Sequence, residues 1–69
     1  ILEEWVKRVV NNFRDHPKAR PAKKKTLQTK IGDLIDQAAG SSEVQLVIVI
    51  LCKAGYLTFG EKNVPNYHL

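Results

Sequence analysis

Between Arg14 and Lys30 the chain carries seven cations, Arg14, Lys18, Arg20, Lys23, Lys24, Lys25 and Lys30, opposed by one carboxylate, Asp15. That stretch holds a net +6 where the 69 residues together hold +4, so the remainder is net acidic. Clustered Lys and Arg displace counterions from a nucleic-acid backbone, which gives affinity without reading sequence. Lys18, Arg20, Lys23, Lys24, Lys25 and Lys30 are therefore candidate phosphate contacts, with Lys62 further along as one more. The plainer alternative is a solvated basic surface, or a face turned to an acidic neighbouring domain. Lysine in the first turn of a helix is disfavoured by the dipole by about 0.3 kcal/mol or more each. Three in a row are a poor choice for stability alone, which weights the reading towards a ligand.

Other chemistry finds little support. His16 and His68 have no partner at catalytic or metal-ligating spacing, and a single cysteine, Cys52, can build neither a disulfide framework nor a zinc site with them. Cys52 reads as a small apolar group in the core. Asp33 and Asp36 lack a second carboxylate pair for general acid–base work, and no Gly-rich phosphate loop is present. The expectation is a protein that is not an enzyme, with no metal, no cofactor and no small-molecule substrate. Trp5 and Phe13 sit at core spacing. Tyr67 could stack on a base, although packing against its own hairpin is the simpler role.

The elements that must position these groups read as follows. Ile1, Leu2, Trp5, Val6, Val9, Val10 and Phe13 form one broad helical face, so Ile1 to Asp15 is a first helix. Pro17 and Pro21 stiffen the loop that follows, and Pro21 suits the first turn of the next helix. That helix is expected from about Ala22 to Ala39, with Leu27, Ile31, Leu34, Ile35 and Ala38 as its stripe and Gly40 as its left-handed stop. Ser42 and Gln45 have capping-box spacing for a third helix, whose inner face is Val44, Val47, Ile48 and Leu51. A buried strand is the rival there, since Val47, Ile48, Val49 and Ile50 are consecutive and β-branched. Lys53-Ala54 and the Gly55 stop favour the helix. Tyr56 to Phe59 and Val64 to Leu69 are strands about a Gly60-Glu61-Lys62-Asn63 turn, and Pro65 confines the return strand to an edge.

The order is three helices and then a hairpin: an α+β, mainly α, winged helix with the C-terminal β-hairpin as wing, in one domain over residues 1–69. Such a fold invites sequence reading by its third helix. Winding that helix at 100° per residue turns Gln45, Leu46, Val49 and Lys53 outward, with Ile50 at the border. Only Gln45 and Lys53 suit base edges. Leu46, Val49 and Ile50 instead make a candidate protein interface, to a partner domain or a second copy. No stretch approaches the roughly 18–20 apolar residues of a membrane span. The chain opens on Ile1 and holds no Met, which is expected of a piece of a larger protein, and its one cysteine suits a reducing, cytoplasmic compartment.

Arg20-Pro21, Lys25-Thr26-Leu27, Ile31, Ala54-Gly55-Tyr56-Leu57, Val64 and Tyr67-His68-Leu69 together resemble a known family. They look like the small C-terminal domain that follows a NYN (PIN-like) nuclease domain in bacterial LabA-like proteins, and more distantly are similar to LOTUS (OST-HTH) winged-helix domains. The resemblance covers about Lys18 to Leu69 and leaves the first helix unaccounted for. It implies an RNA-associated accessory domain beside a nuclease domain whose acidic residues are absent from this chain. Only Arg20 and Lys23 to Lys25 carry over, as RNA contacts. The expected function is thus non-catalytic nucleic-acid binding, RNA before DNA, through the basic loop and the start of helix two. The alternative is a protein-interaction or dimerisation module built on Leu46, Val49 and Ile50.

Overall fold

The computed structural model describes all of residues 1–69. Its elements are α1 (Leu2–Asp15), a 3-10 turn (Pro17–Ala19), α2 (Lys24–Ile35), α3 (Ser42–Lys53), β1 (Leu57–Phe59), a second 3-10 turn (Glu61–Asn63) and β2 (Pro65–Tyr67). The two strands pair antiparallel, Leu57 opposite Tyr67 and Phe59 opposite Pro65. Three helices followed by a C-terminal hairpin make the winged-helix layout expected from the order of patterns. No helix is long and apolar enough to cross a membrane.

The core is wholly apolar. It takes Val9, Val10 and Phe13 from α1, Leu27, Ile31 and Ile35 from α2, Val44, Val47, Ile48 and Leu51 from α3, and Leu57 from β1. Spacings of three and four bring each set onto one side of its helix. The apolar face of α1 extends past this core: Leu2, Trp5 and Val6 are only partly covered, and Ile1 is 84% exposed. Cys52 is likewise partly covered, packed against the core from the flank of α3. The β-branched run Val47–Ile50 is helical. Ser41 accepts a hydrogen bond from the Val44 N–H at 3.3 Å, and Gly55, at φ 84°, ends the helix with Tyr56 N–H bonded back to the Leu51 carbonyl. Caps at both ends and a continuous apolar face outweigh the strand preference of the residues between.

Both strands are shorter than the sequence pattern predicts, Leu57–Phe59 and Pro65–Tyr67, and three helix boundaries differ from it as well. Helix α3 is capped by Ser41, one residue before Ser42, so the Ser42/Gln45 box does not form and Ser42 instead donates to Glu43. Helix α2 begins at Lys24 with Lys23 as N-cap, which leaves Pro21 outside it, buried in the loop. It also stops early. Asp36 adopts φ 58°, and the N–H groups of Asp36 and Gln37 both bond the Gly32 carbonyl. Gly32 permits that fold-back, since a Cβ there would lie 2.5 Å from the Gln37 carbonyl oxygen. Ala38 is therefore an exposed loop residue, and Gly40 is not the left-handed stop. Across the helix pair, Arg8 donates to the Leu34 carbonyl at 3.0 Å, a cation on carbonyls at the negative end of α2.

Candidate nucleic-acid interface

The basic residues fall into three structural situations. Lys23, Lys24 and Lys25 stand together at the start of α2, all exposed. The N–H of Leu27 bonds the Lys23 carbonyl at 2.9 Å and closes the first turn, while no side chain caps it. The first N–H groups of a helix have no intrahelical acceptor, and with the dipole they favour an anion. Here three consecutive exposed lysines occupy that end.

Arg20 is drawn inward instead. Its Nε donates to the Phe13 carbonyl at 2.7 Å, near the C-terminal end of α1, and its guanidinium lies 5.8 Å from the centre of the Tyr67 ring. Tyr67 in turn sets its ring edge-on to Phe13 with centroids 5.4 Å apart, and its hydroxyl donates to the Pro21 carbonyl at 2.6 Å. Burial pushes the Tyr67 phenol up to about 12, with the Arg20 charge pulling the other way. These contacts clamp the proline loop between α1 and β2. Lys18, on the 3-10 turn of that loop, stays exposed. Lys30 is half-buried and lies nearly in line with Lys23 but two turns on, about 10 Å along the helix axis, so it flanks the lysine triplet rather than joining it.

Lys62 sits at the tip of the hairpin in a left-handed conformation, φ 57° and ψ 26°, next to Asn63 at φ 58°. A non-glycine residue pays about 1–2 kcal/mol there, less for Asn or Asp. The hairpin also touches α2: Lys24 places its ammonium 5.5 Å from the centre of the Phe59 ring. His68 is occupied within the hairpin, its Nε2 2.9 Å from the Thr58 hydroxyl.

The outer side of α3 runs as expected. Gln45, Leu46, Val49 and Lys53 are exposed, with Leu46 at 49% and Val49 at 47%, so α1 does not cover them. Ile50 is half-buried beside Leu2 and Val6 of α1, in an open groove edged by Glu3 and Lys7. A second groove lies between α2, α3 and β1, lined by Lys24, Gln28, Gln45, Ile48, Val49 and Phe59. The sequence pattern does not mark Gln28, and it marks Phe59 only as a strand residue. Lys24 and Gln28 are four apart on one helix face, which was the available signal, but the strand residue that joins them is set only by the tertiary fold. No protein-family model, curated protein or solved structure matches this chain.

Proposed function

We propose that this domain is a non-catalytic, RNA-binding accessory module that grips phosphates through the start of α2. The observation that carries the reading is the exposed triplet Lys23, Lys24 and Lys25 on a helix start without a side-chain cap. Cations and free N–H groups at one end of one helix both favour an anion, and both are unfavourable to stability when nothing binds. Lys18 and Lys30 extend the track, and Lys62 adds a contact from the wing, where its left-handed backbone is better suited to Asn or Gly than to Lys. Arg20 serves mainly by holding the loop that carries Lys18, with its Nε committed to Phe13. RNA is favoured over DNA because the outer face of α3 offers Leu46 and Val49 where a major-groove reader needs polar side chains. The resemblance to the C-terminal domains of LabA-like NYN proteins points the same way, to a cytoplasmic protein in which a nuclease domain does the chemistry.

The test is titration of labelled single-stranded RNA at several salt concentrations. Each phosphate neutralised on a single strand contributes roughly −0.7 to the slope of log K against log salt. The Lys23/Lys24/Lys25→Ala variant should flatten that slope by about 2. An unchanged slope, or no binding by the wild type at low salt, refutes the reading.

A second reading rests on Leu46 and Val49, which α1 leaves uncovered, and on Ile50 beside them. They suit a protein contact or a homodimer. Sedimentation across a concentration series distinguishes it: self-association insensitive to salt and abolished by Leu46→Glu supports the interface, and a monomer at every concentration excludes the homodimer.

A further inference from the structure

The groove between α2, α3 and the wing has a chemistry that phosphate binding does not use. Its floor is apolar, from Ile48 and Val49, and the half-buried Phe59 ring forms one wall. Its polar groups are two carboxamides, Gln28 and Gln45, neither of which is spent on a hydrogen bond within the protein. Lys24 stands at the same groove with its ammonium against Phe59, which ties it to the cationic end of α2. No carboxylate lines it.

A carboxamide presents an acceptor and two donors in one plane. Two of them beside an aromatic ring and an apolar floor match a flat, neutral heterocycle whose edge carries both donors and acceptors. The adjoining lysines favour a heterocycle attached to phosphate. We propose that this groove holds one unstacked nucleobase of a single-stranded RNA, with Phe59 and Val49 against its face, Gln28 and Gln45 on its edge, and Lys24 on the neighbouring phosphate. The proposal rests on the RNA reading and adds a base-dependent step to it. Splayed-out bases held by stacking and by amide hydrogen bonds are the usual means of gripping single strands.

The experiment compares oligoadenylate and oligouridylate with an abasic ribose-phosphate oligomer of equal length, which has the same phosphates and no bases. Wild type should bind the base-bearing strands roughly tenfold more tightly than the abasic one. Gln28→Met/Gln45→Met, which removes the amides at similar volume, should lower that preference severalfold, leaving the share due to stacking on Phe59, with the salt slope unchanged. Lys23/Lys24/Lys25→Ala should weaken all three strands. In parallel, the methyl resonances of Ile48 and Val49 should shift on adding adenosine or uridine monophosphate and stay in place on adding ribose 5-phosphate, a readout that needs no variant. Equal, salt-dependent binding of abasic and base-bearing strands overturns the base pocket and leaves phosphate binding standing. So does a base preference left unchanged by the double glutamine variant. Absence of binding to every strand at low salt overturns both readings. Methyl shifts that follow protein concentration alone assign the groove to a protein contact and likewise overturn it.

Discussion

Replacing Tyr67 by Phe removes one oxygen and little else, which makes the clamp on the proline loop measurable. The hydroxyl donates to the Pro21 carbonyl at 2.6 Å, and Pro21 is buried. Phe would keep the edge-on contact with Phe13 but leave that carbonyl without its donor. An unsatisfied buried acceptor costs about 1–3 kcal/mol. The phenol's own ionisation gives a separate, pH-dependent handle on its burial. Its pKa stands at about 12 when folded and at about 10 in an unfolded chain. A raised pKa means that the folded state favours the protonated phenol. The stabilisation is therefore complete below pH 10 and is lost as pH rises towards 12. Two units correspond to about 2.7 kcal/mol, and screening by the solvent that reaches part of this ring reduces that to about 1–2 kcal/mol. That second figure is the cost of ionising the buried ring, a quantity separate from the lost hydrogen bond. Urea unfolding at pH 7 should find Tyr67→Phe about 1–2 kcal/mol less stable, roughly 7–14 °C lower in Tm. Repeated at steps up to pH 12, the gap should close, because ionising the buried phenol then destabilises wild type and leaves the variant unaffected. Lysine titration in the same range enters both proteins and cancels in the difference. Equal stability at pH 7 would refute the clamp, and a gap independent of pH would refute the burial of the phenol.

Gly32→Ala should destabilise by about 1–3 kcal/mol despite the better helix propensity of Ala, because its Cβ would meet the Gln37 backbone oxygen at 2.5 Å; chemical denaturation checks it. Asp36→Gly should raise stability by up to about 1 kcal/mol by relieving the left-handed backbone that ends α2. Ser41→Ala should cost about 1 kcal/mol through the lost cap on α3, read from the thermal midpoint. Lys62→Asn should gain up to about 1 kcal/mol from its φ of 57° while flattening the salt dependence of RNA binding by roughly one phosphate contact, so stability and binding should move in opposite directions.

The parts of the fold legible in the sequence were those written in short-range code. The apolar spacing of α1, the Gly55 stop, and the alternation of Leu57, Thr58 and Phe59 each depend on residues within a few positions of one another. The end of α2 was misread because its cause is a close approach. Gly32 looks like a penalty inside a helix until the chain is seen folding back over it, and Asp36 looks like an ordinary solvent-facing carboxylate. Gly40, the more obvious stop, lies beyond the point where that approach ends the helix. Candidate site residues divide in the same way. The lysine triplet is contiguous and visible in one dimension. Arg20 read as one more cation, and its commitment to Phe13 depends on the path of the loop between two prolines. Phe59 read as a strand residue, and only the docking of the hairpin against α2 sets it beside Lys24 and Gln28.

The hydrogen bond between Tyr67 and Pro21 spans 46 residues of chain. Closing so long an interval carries an entropic cost that contacts between successive helices do not. The helices can assemble on local contacts first, and the proline loop gains its anchor only when β2 docks. On that order of events, weakening the clamp should speed unfolding and leave the folding rate nearly untouched. The loop bearing Lys18 and Arg20 would be the last segment to set and the first to let go.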